Sequence, residues 1–401
     1  GRFEAHLEIL SGSAHELESQ QGMAHLLEHV AYMGSPKRQL ISGTGSRTNA
    51  YTDFHHTVFF AACPVNTPDQ FWKKPMLPMA FDALLDVMTT KVDDDRLEKE
   101  RSAVLSEASM VNKMEYRVEC QVLGTLHSEN RIATRFPIGK IPLIENWTKE
   151  ELQMYHSMHY VPENVILYVV GDVDVRTTVE LIEQKFGHLQ AKEEARELIA
   201  ASGEYPKINM NAVSRHFPPV VHDWSCTDDE ASQWVPEPLV QVSEMLASQK
   251  RADKDLLPSP TVFNHELLQS FSFHLFAKRP IEPITSQSSL KRDLMRRIAL
   301  SALQIRFNVQ QRQDPLFTFV DFNQLNWPRE GCAVCSLDLT TDPSSWRDAV
   351  KLAVQEIMRL GIHGLTNTEL DRYKQASLSE AEQAAAQSDQ IGNEEMLSQL
   401  M

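Results

Sequence analysis

Gly22-Met23-Ala24-His25-Leu26-Leu27-Glu28-His29-Val30-Ala31-Tyr32-Met33-Gly34-Ser35-Pro36 reads as one apolar helix with its stop signal attached. From Met23 to Met33 apolar side chains fall on nearly every side, so the helix is expected to be buried. Gly34-Ser35-Pro36 ends it with a C-terminal signal and a turn. Just before it, Ala5-His6-Leu7-Glu8-Ile9-Leu10 alternates like a strand. Just after it, Ser42-Gly43-Thr44-Gly45-Ser46 forms a loop that leads into a β-rich run from Ala50 to Ala62. A strand that feeds a buried helix and returns to strands points to an α+β layer fold, in which helices pack on an antiparallel or mixed sheet.

The pattern continues outward. Helices are expected over about Met76–Thr90, Asp94–Lys113, Tyr116–Ser128, Lys149–His159 and Val175–Phe186, with a buried strand over Asn164–Val170. Residues 200–265 hold seven prolines and few periodic segments, which reads as a linker or insertion. Beyond it, Phe271–Phe276, a helix over Ser289–Gln310, strands at Phe317–Val320 and Ala333–Leu339, and helices from Ser345 and Thr368 repeat the order strand, helix, strands, helices. The expectation is therefore two homologous αβ-layer domains, residues 1–199 and 266–401, separated by the 200–265 linker. The opening strand is expected to lack a paired neighbour that would precede it, as if the chain begins mid-sheet, and the last helix to be cut short.

At 401 residues, two domains with a full core each are the default size expectation. A formal charge of −16 argues against nucleic acid, whose phosphates need a basic footprint, and suits cationic partners. No apolar run is long enough for a membrane span. Five scattered cysteines make no disulfide framework. Cys332-Ala-Val-Cys335 lies on a strand pattern, where a three-residue offset sends the thiols to opposite faces and speaks against a shared metal.

Chemistry concentrates on the opening helix. His25 and His29 are four residues apart on one face, the spacing that chelates a single Zn²⁺. Glu28 lies beside them, placed to hold a proton from water. A chance match of such a short pattern is the bland reading, but buried His and Glu need partners, and a metal supplies one. A third ligand is sought on the helix from Asp94, where Leu97, Glu100, Val104, Glu107 and Val111 make one continuous stripe. Two carboxylates interrupt that apolar face. Glu107 is assigned as the third ligand and Glu100 as the acceptor that orients a ligand imidazole; ordinary salt bridges to Arg96 or Arg101 are the alternative.

His25-x-x-Glu28-His29 followed by Glu100-Arg101-x-x-Val104-x-x-Glu107 resembles the metallopeptidase family of pitrilysin, insulin-degrading enzyme and mitochondrial processing peptidase. The resemblance implies that His25, His29 and Glu107 bind one zinc ion, that Glu28 is the general base and that Glu100 supports a ligand. It also implies that a peptide substrate adds as a strand beside Asn49-Ala50-Tyr51-Thr52, for which a plain edge strand is the alternative. His56 matches a family step that is structural or lines the cleft, so neither it nor His55 is expected to be a ligand. Long runs such as Gly43–Phe59, Glu115–Gln121, Arg135-Phe136-Pro137-Ile138-Gly139 and Phe271–Lys278 are similar to the branch that removes transit peptides in the chloroplast stroma. Unfolded basic transit peptides are the partners this implies, and an acidic chamber would concentrate them. Family members are clamshells, so the chain reads as one half whose partner is a further C-terminal half of the same enzyme. Alone it is expected to bind zinc but to cleave slowly or not at all. A non-catalytic relative, acting as a structural or peptide-binding subunit, is the other reading, against which the intact Glu28 and both histidines stand.

Overall fold

The computed structural model of the chain describes residues 1–68, 73–127, 130–189, 261–268, 270–313, 316–327, 329–387 and 391–401. The expected linker over 200–265 lies outside these residues except for its last five positions. Contacts divide the chain into two compact units, Gly1–Val220 with Ile391–Met401, and Val221–Gln390.

In the first unit, strands β1 (Arg2–Ile9), β2 (Arg47–Thr52), β3 (Thr57–Pro64) and β4 (Val165–Gly171) form an antiparallel sheet in the order β2-β3-β1-β4. The β-rich run after the first helix is thus two strands of a hairpin, with residues 53–56 at its turn. β1 is central and paired on both sides. Its period-two alternation sends Phe3, Ala5, Leu7 and Ile9 into the core, where each is essentially inaccessible. Glu4, His6 and Glu8 point to the other face.

Six longer or shorter helices cover the apolar face or flank it: α1 (Met23–Glu28), α2 (Pro36–Ile41), α3 (Leu77–Met88), α4 (Asp94–Val111), α5 (Met114–Leu126) and α6 (Ile141–Ile144), followed by α7 (Lys149–His159) and α8 (Val175–Phe186). The core joins β1 to α1 through Met23, Leu26 and Leu27, to α3 through Phe81 and Leu84, and to α4 through Leu97 and Val104. Caps set the ends of α4 and α7. The Asp93 side chain accepts from Arg96 N, and Thr148 forms a capping box with Glu151. The opening helix does not run on as one α-helix to Met33. After Glu28 it widens into a π-turn over His29–Met33, a distortion that recurs at functional sites.

The second unit repeats the plan. β5 (Phe271–Pro280), β6 (Phe319–Trp327) and β7 (Cys332–Thr341) form an antiparallel sheet in the order β5-β7-β6. In both sheets the first strand pairs with the third and the third with the second. Helices α9 (Gln287–Gln313) and α10 (Trp346–His363) supply a core of Leu303, Phe307, Ala349 and Ala353 against Val320, Leu337 and Leu339, and α11 (Asn367–Ala386) packs Tyr373 against Ile298 and Ala302 of α9. The last helix, α12 (Asn393–Leu400), belongs to the first unit, whereas the reading from sequence kept 266–401 together. Its Leu397 is buried, and Asn393 Nδ2 donates to Arg2 O at 3.4 Å. Among the described residues no helix is long and apolar enough to cross a membrane.

Candidate active site

α1 and α4 lie side by side, and three of the expected residues meet between them. His25 Nε2 is 3.6 Å and His29 Nε2 3.5 Å from Glu107 Oε2. One donor atom from each of the three lies within 4.8 Å of the others, the one group among the described residues that could hold a metal. Donors on a single tetrahedral zinc, with bonds near 2.0–2.1 Å, are separated by about 3.4 Å. The observed spacings match that within a few tenths of an ångström for both Glu107 pairs. Two imidazoles and a carboxylate are also the donor types zinc takes when one position stays open. The two histidine side chains are 11% and 15% exposed and that of Glu107 39%, so the cluster faces solvent on the Glu107 side.

Burial, helped by the neighbouring His29, pushes His25 down to about 4, so its ring is neutral and its lone pair available at ordinary pH. The buried Nδ1 of His25 has no hydrogen-bond partner. His29 is held from its other side, with Nδ1 3.5 Å from Glu100 Oε2. Glu100 is itself only 5% exposed, which fits a carboxylate that orients an imidazole better than one that solvates a surface. Of the alternative salt bridges, none joins Glu100 to Arg101 among the described residues, but Lys99 Nζ lies 3.8 Å from Glu100 Oε1 and the Glu100 charge is felt by Arg96. Arg101 sends its guanidinium to the Ile144 and Trp147 carbonyls and to Glu98.

Glu28 is 3% exposed. Burial raises its carboxyl to about 7, a hydrogen bond from Thr52 opposes the rise and Glu107 adds to it. Thr52 Oγ1 donates to Glu28 Oε2 at 2.8 Å, which leaves Oε1 without that constraint. The side-chain contact of Thr52 was not anticipated; only its backbone was. No sequence signal marks it, because it depends on where the hairpin crosses α1.

Among the described residues β2 is the edge of its sheet, paired with β3. Ala50 and Thr52 point toward α1, while Asn49 and Tyr51 point away, Tyr51 being 43% exposed. His56 stands apart from the metal-type cluster. Its Nδ1 is 2.6 Å from Glu8 Oε1 and its Nε2 3.0 Å from Asp53 Oδ2, and Tyr168 Oη donates to the second Glu8 oxygen at 2.9 Å. These contacts fix the hairpin turn to β1, a structural task. His55 contributes its backbone N–H to Asp53 Oδ1.

Residues 3–136 match the model of the insulinase family, peptidase family M16, and residues 146–223 match that of the M16 inactive domain. The chain is 38% identical over its whole length to the chloroplastic stromal processing peptidase of Arabidopsis thaliana.

The chain belongs to peptidase family M16.

The Pisum sativum stromal processing peptidase is equally similar, at 38%. The M16 chain described here spans 32% of the length of either plant protein. The β subunit of the Saccharomyces cerevisiae mitochondrial-processing peptidase is 29% identical over 49% of the chain and 42% of its own length. Among solved structures, the periplasmic protease PqqL of Escherichia coli superposes with a TM-score of 0.70 over the full chain and 39% of its own, at 16% identity. The first half of PqqL gives 0.69 over 76% of that chain. At such identities the likeness concerns the fold, and it places this M16 chain with the half-molecules of clamshell peptidases.

Proposed function

We propose that this chain is the catalytic part of a zinc metalloendopeptidase that removes transit peptides from precursor proteins imported into the chloroplast stroma. The observation that carries the reading is the convergence of His25, His29 and Glu107 with Glu28 at the adjacent position on α1. Full-length similarity to stromal processing peptidases supports the substrate class and the compartment. A net charge of −16 suits a basic peptide substrate.

His25, His29 and Glu107 would hold the ion, and Glu100 would keep the His29 ring in its ligating orientation. An ion held there would supply Lewis acidity to a bound water and to the scissile carbonyl. Thr52 fixes one oxygen of Glu28, so Oε1 is the atom that takes the proton from the attacking water and returns it to the leaving amine nitrogen. Glu28 must be ionised to begin; burial, opposed by Thr52 and helped by Glu107, raises its carboxyl to about 7, and a dication held by the three ligands would lower it. The substrate backbone pairs with the open edge of β2 at Asn49-Ala50-Tyr51-Thr52, an added strand that carries the scissile bond past Glu28. The remaining length of the full enzyme, by analogy with clamshell relatives, closes the chamber over that strand.

The test is Glu28→Gln in the full-length protein, with a fluorescent transit peptide as substrate. Zinc content should stay at the parent level while cleavage falls by roughly 10²–10⁴-fold. Unchanged cleavage would remove Glu28 as the base. Zinc retained by a parent protein that binds but never cuts the peptide would favour the non-catalytic subunit instead.

A further inference from the structure

Glu16 is a fully buried carboxylate outside the group that handles substrate and metal. Its Oε2 accepts from Gly22 N at 2.9 Å and its Oε1 from Ala24 N at 2.8 Å, so both oxygens are spent on the first turn of α1. A buried carboxylate is costly unless its partners repay the loss of water. Here the partners are the orphan N–H groups that a helix start leaves unpaired; burial still pushes the carboxyl up to about 8, against the opposing pull of the Ala24 and Gly22 amides and Arg135, and in either protonation state its oxygens accept from those amides.

The segment that leads into this turn is held by residues 135–140. Arg135 Nε donates to Glu16 O at 3.1 Å, and its guanidinium is 2.9 Å from Glu18 Oε2. Lys140 N donates to Gln21 O at 3.1 Å. Gly22 and Gly139 meet backbone to backbone: a Cβ added at Gly139 would lie 2.3 Å from Gly22 Cα. Both have positive φ, +100° and +76°, so an L side chain is unfavourable at either on two counts. α1 itself is six residues long before it widens, too short to define its own position through intrahelical bonds.

We infer that Glu16 is the positioning residue of the metal helix, and that it works with the Arg135–Gly139 turn as a clamp that sets where His25 and His29 present their ring nitrogens. Gly22 and Ala24, on either side of the first residue of α1, are both held by Glu16, and His25 is the next residue after Ala24. The inference rests on the zinc reading above.

The experiment is Glu16→Gln in the full-length protein. The amide keeps the shape but places an NH₂ group against one of the two backbone donors. Zinc affinity is measured by competition with a chromophoric chelator, at a temperature where circular dichroism shows the variant folded. The expected result is a dissociation constant raised about tenfold or more, the loss that supporting groups around metal ligands cause. A role in folding alone would leave the affinity of the folded molecules unmoved. Folded Glu16→Gln that binds zinc like the parent overturns the clamp. Should the variant not fold, hydrogen exchange on the parent decides: zinc should slow exchange at the Gly22 and Ala24 amides, since coupling is reciprocal, and equal rates with and without zinc overturn the clamp. A parent that binds no zinc defeats the zinc reading first, and the clamp's purpose with it.

Discussion

The two sheets share a strand order and differ in what the segment between their first and second strands carries. Between β1 and β2 lies α1, with His25, Glu28 and His29 at buried or nearly buried positions. Between β5 and β6 lies α9, twenty-seven residues without a histidine, cysteine or glutamate, whose buried positions are Ser289, Asp293, Ile298, Ala302, Leu303 and Phe307. The single acid on that list, Asp293, is spent on Arg297 at 2.7 Å. One layer plan thus carries a metal-type side-chain cluster in one place and an ordinary core in the other. Architecture alone does not carry the chemistry, which lives in a few side chains placed on it.

That contrast can be broken most severely at His25. In the full-length protein, His25→Ala should abolish stoichiometric zinc and cleavage together, whereas Asp293→Ala should leave both at the parent level. Zinc analysis and peptide cleavage on the same preparations check this, and equal losses from the two changes would mean that the units are not functionally distinct.

A second test concerns the cost of the reactive helix. In the metal-free protein the folded-state carboxyl of Glu28 sits near 7 against 4.5 for a free glutamate, so the folded state binds more protons between those values. Stability from this group is full below pH 4.5 and is lost as pH rises through 7. Glu28→Gln should therefore be more stable than the metal-free parent at pH 8, by on the order of 3 kcal/mol, with the two converging near pH 4. Denaturant melts of both proteins across that range measure it. No convergence at low pH would show that the difference has another origin.

A smaller effect is expected at Glu100. Glu100→Gln keeps the shape beside His29 but gives up the charge, so zinc affinity should fall by about 10–100-fold with the fold intact. Chelator competition reads this directly, and an unchanged affinity would reduce Glu100 to a packing role.

Much of this was legible in the sequence for local reasons. The four-residue spacing of His25 and His29 fixes a shared helix face before any tertiary contact is known. The Leu97–Val111 stripe singled out Glu100 and Glu107 because a carboxylate on an apolar face calls for an explanation, and both come to the α1 histidines. Alternation located β1, an apolar run β4 and a strand-like run β7, each within a few residues. What stayed hidden depends on long-range placement. The Thr52 hydroxyl reaches Glu28 only because the β2–β3 hairpin crosses α1, and Glu16 matters only because the chain folds back on Gly22. Neither residue stands out by spacing or periodicity. The return of α12 to the first sheet was equally unreadable, since an amphipathic helix does not declare which apolar surface it will cover. The π-turn at His29 breaks the 3.6-residue period just where the pattern was read as continuous.

The claim beneath all of this is one divalent ion between α1 and α4. Anomalous diffraction at the zinc absorption edge, on crystals of full-length protein purified without chelator, tests it most directly. The account predicts a single strong peak within about 2.2 Å of His25 Nε2, His29 Nε2 and a Glu107 carboxylate oxygen. A fully zinc-exposed crystal with no peak there, or with the peak on other residues, would contradict it.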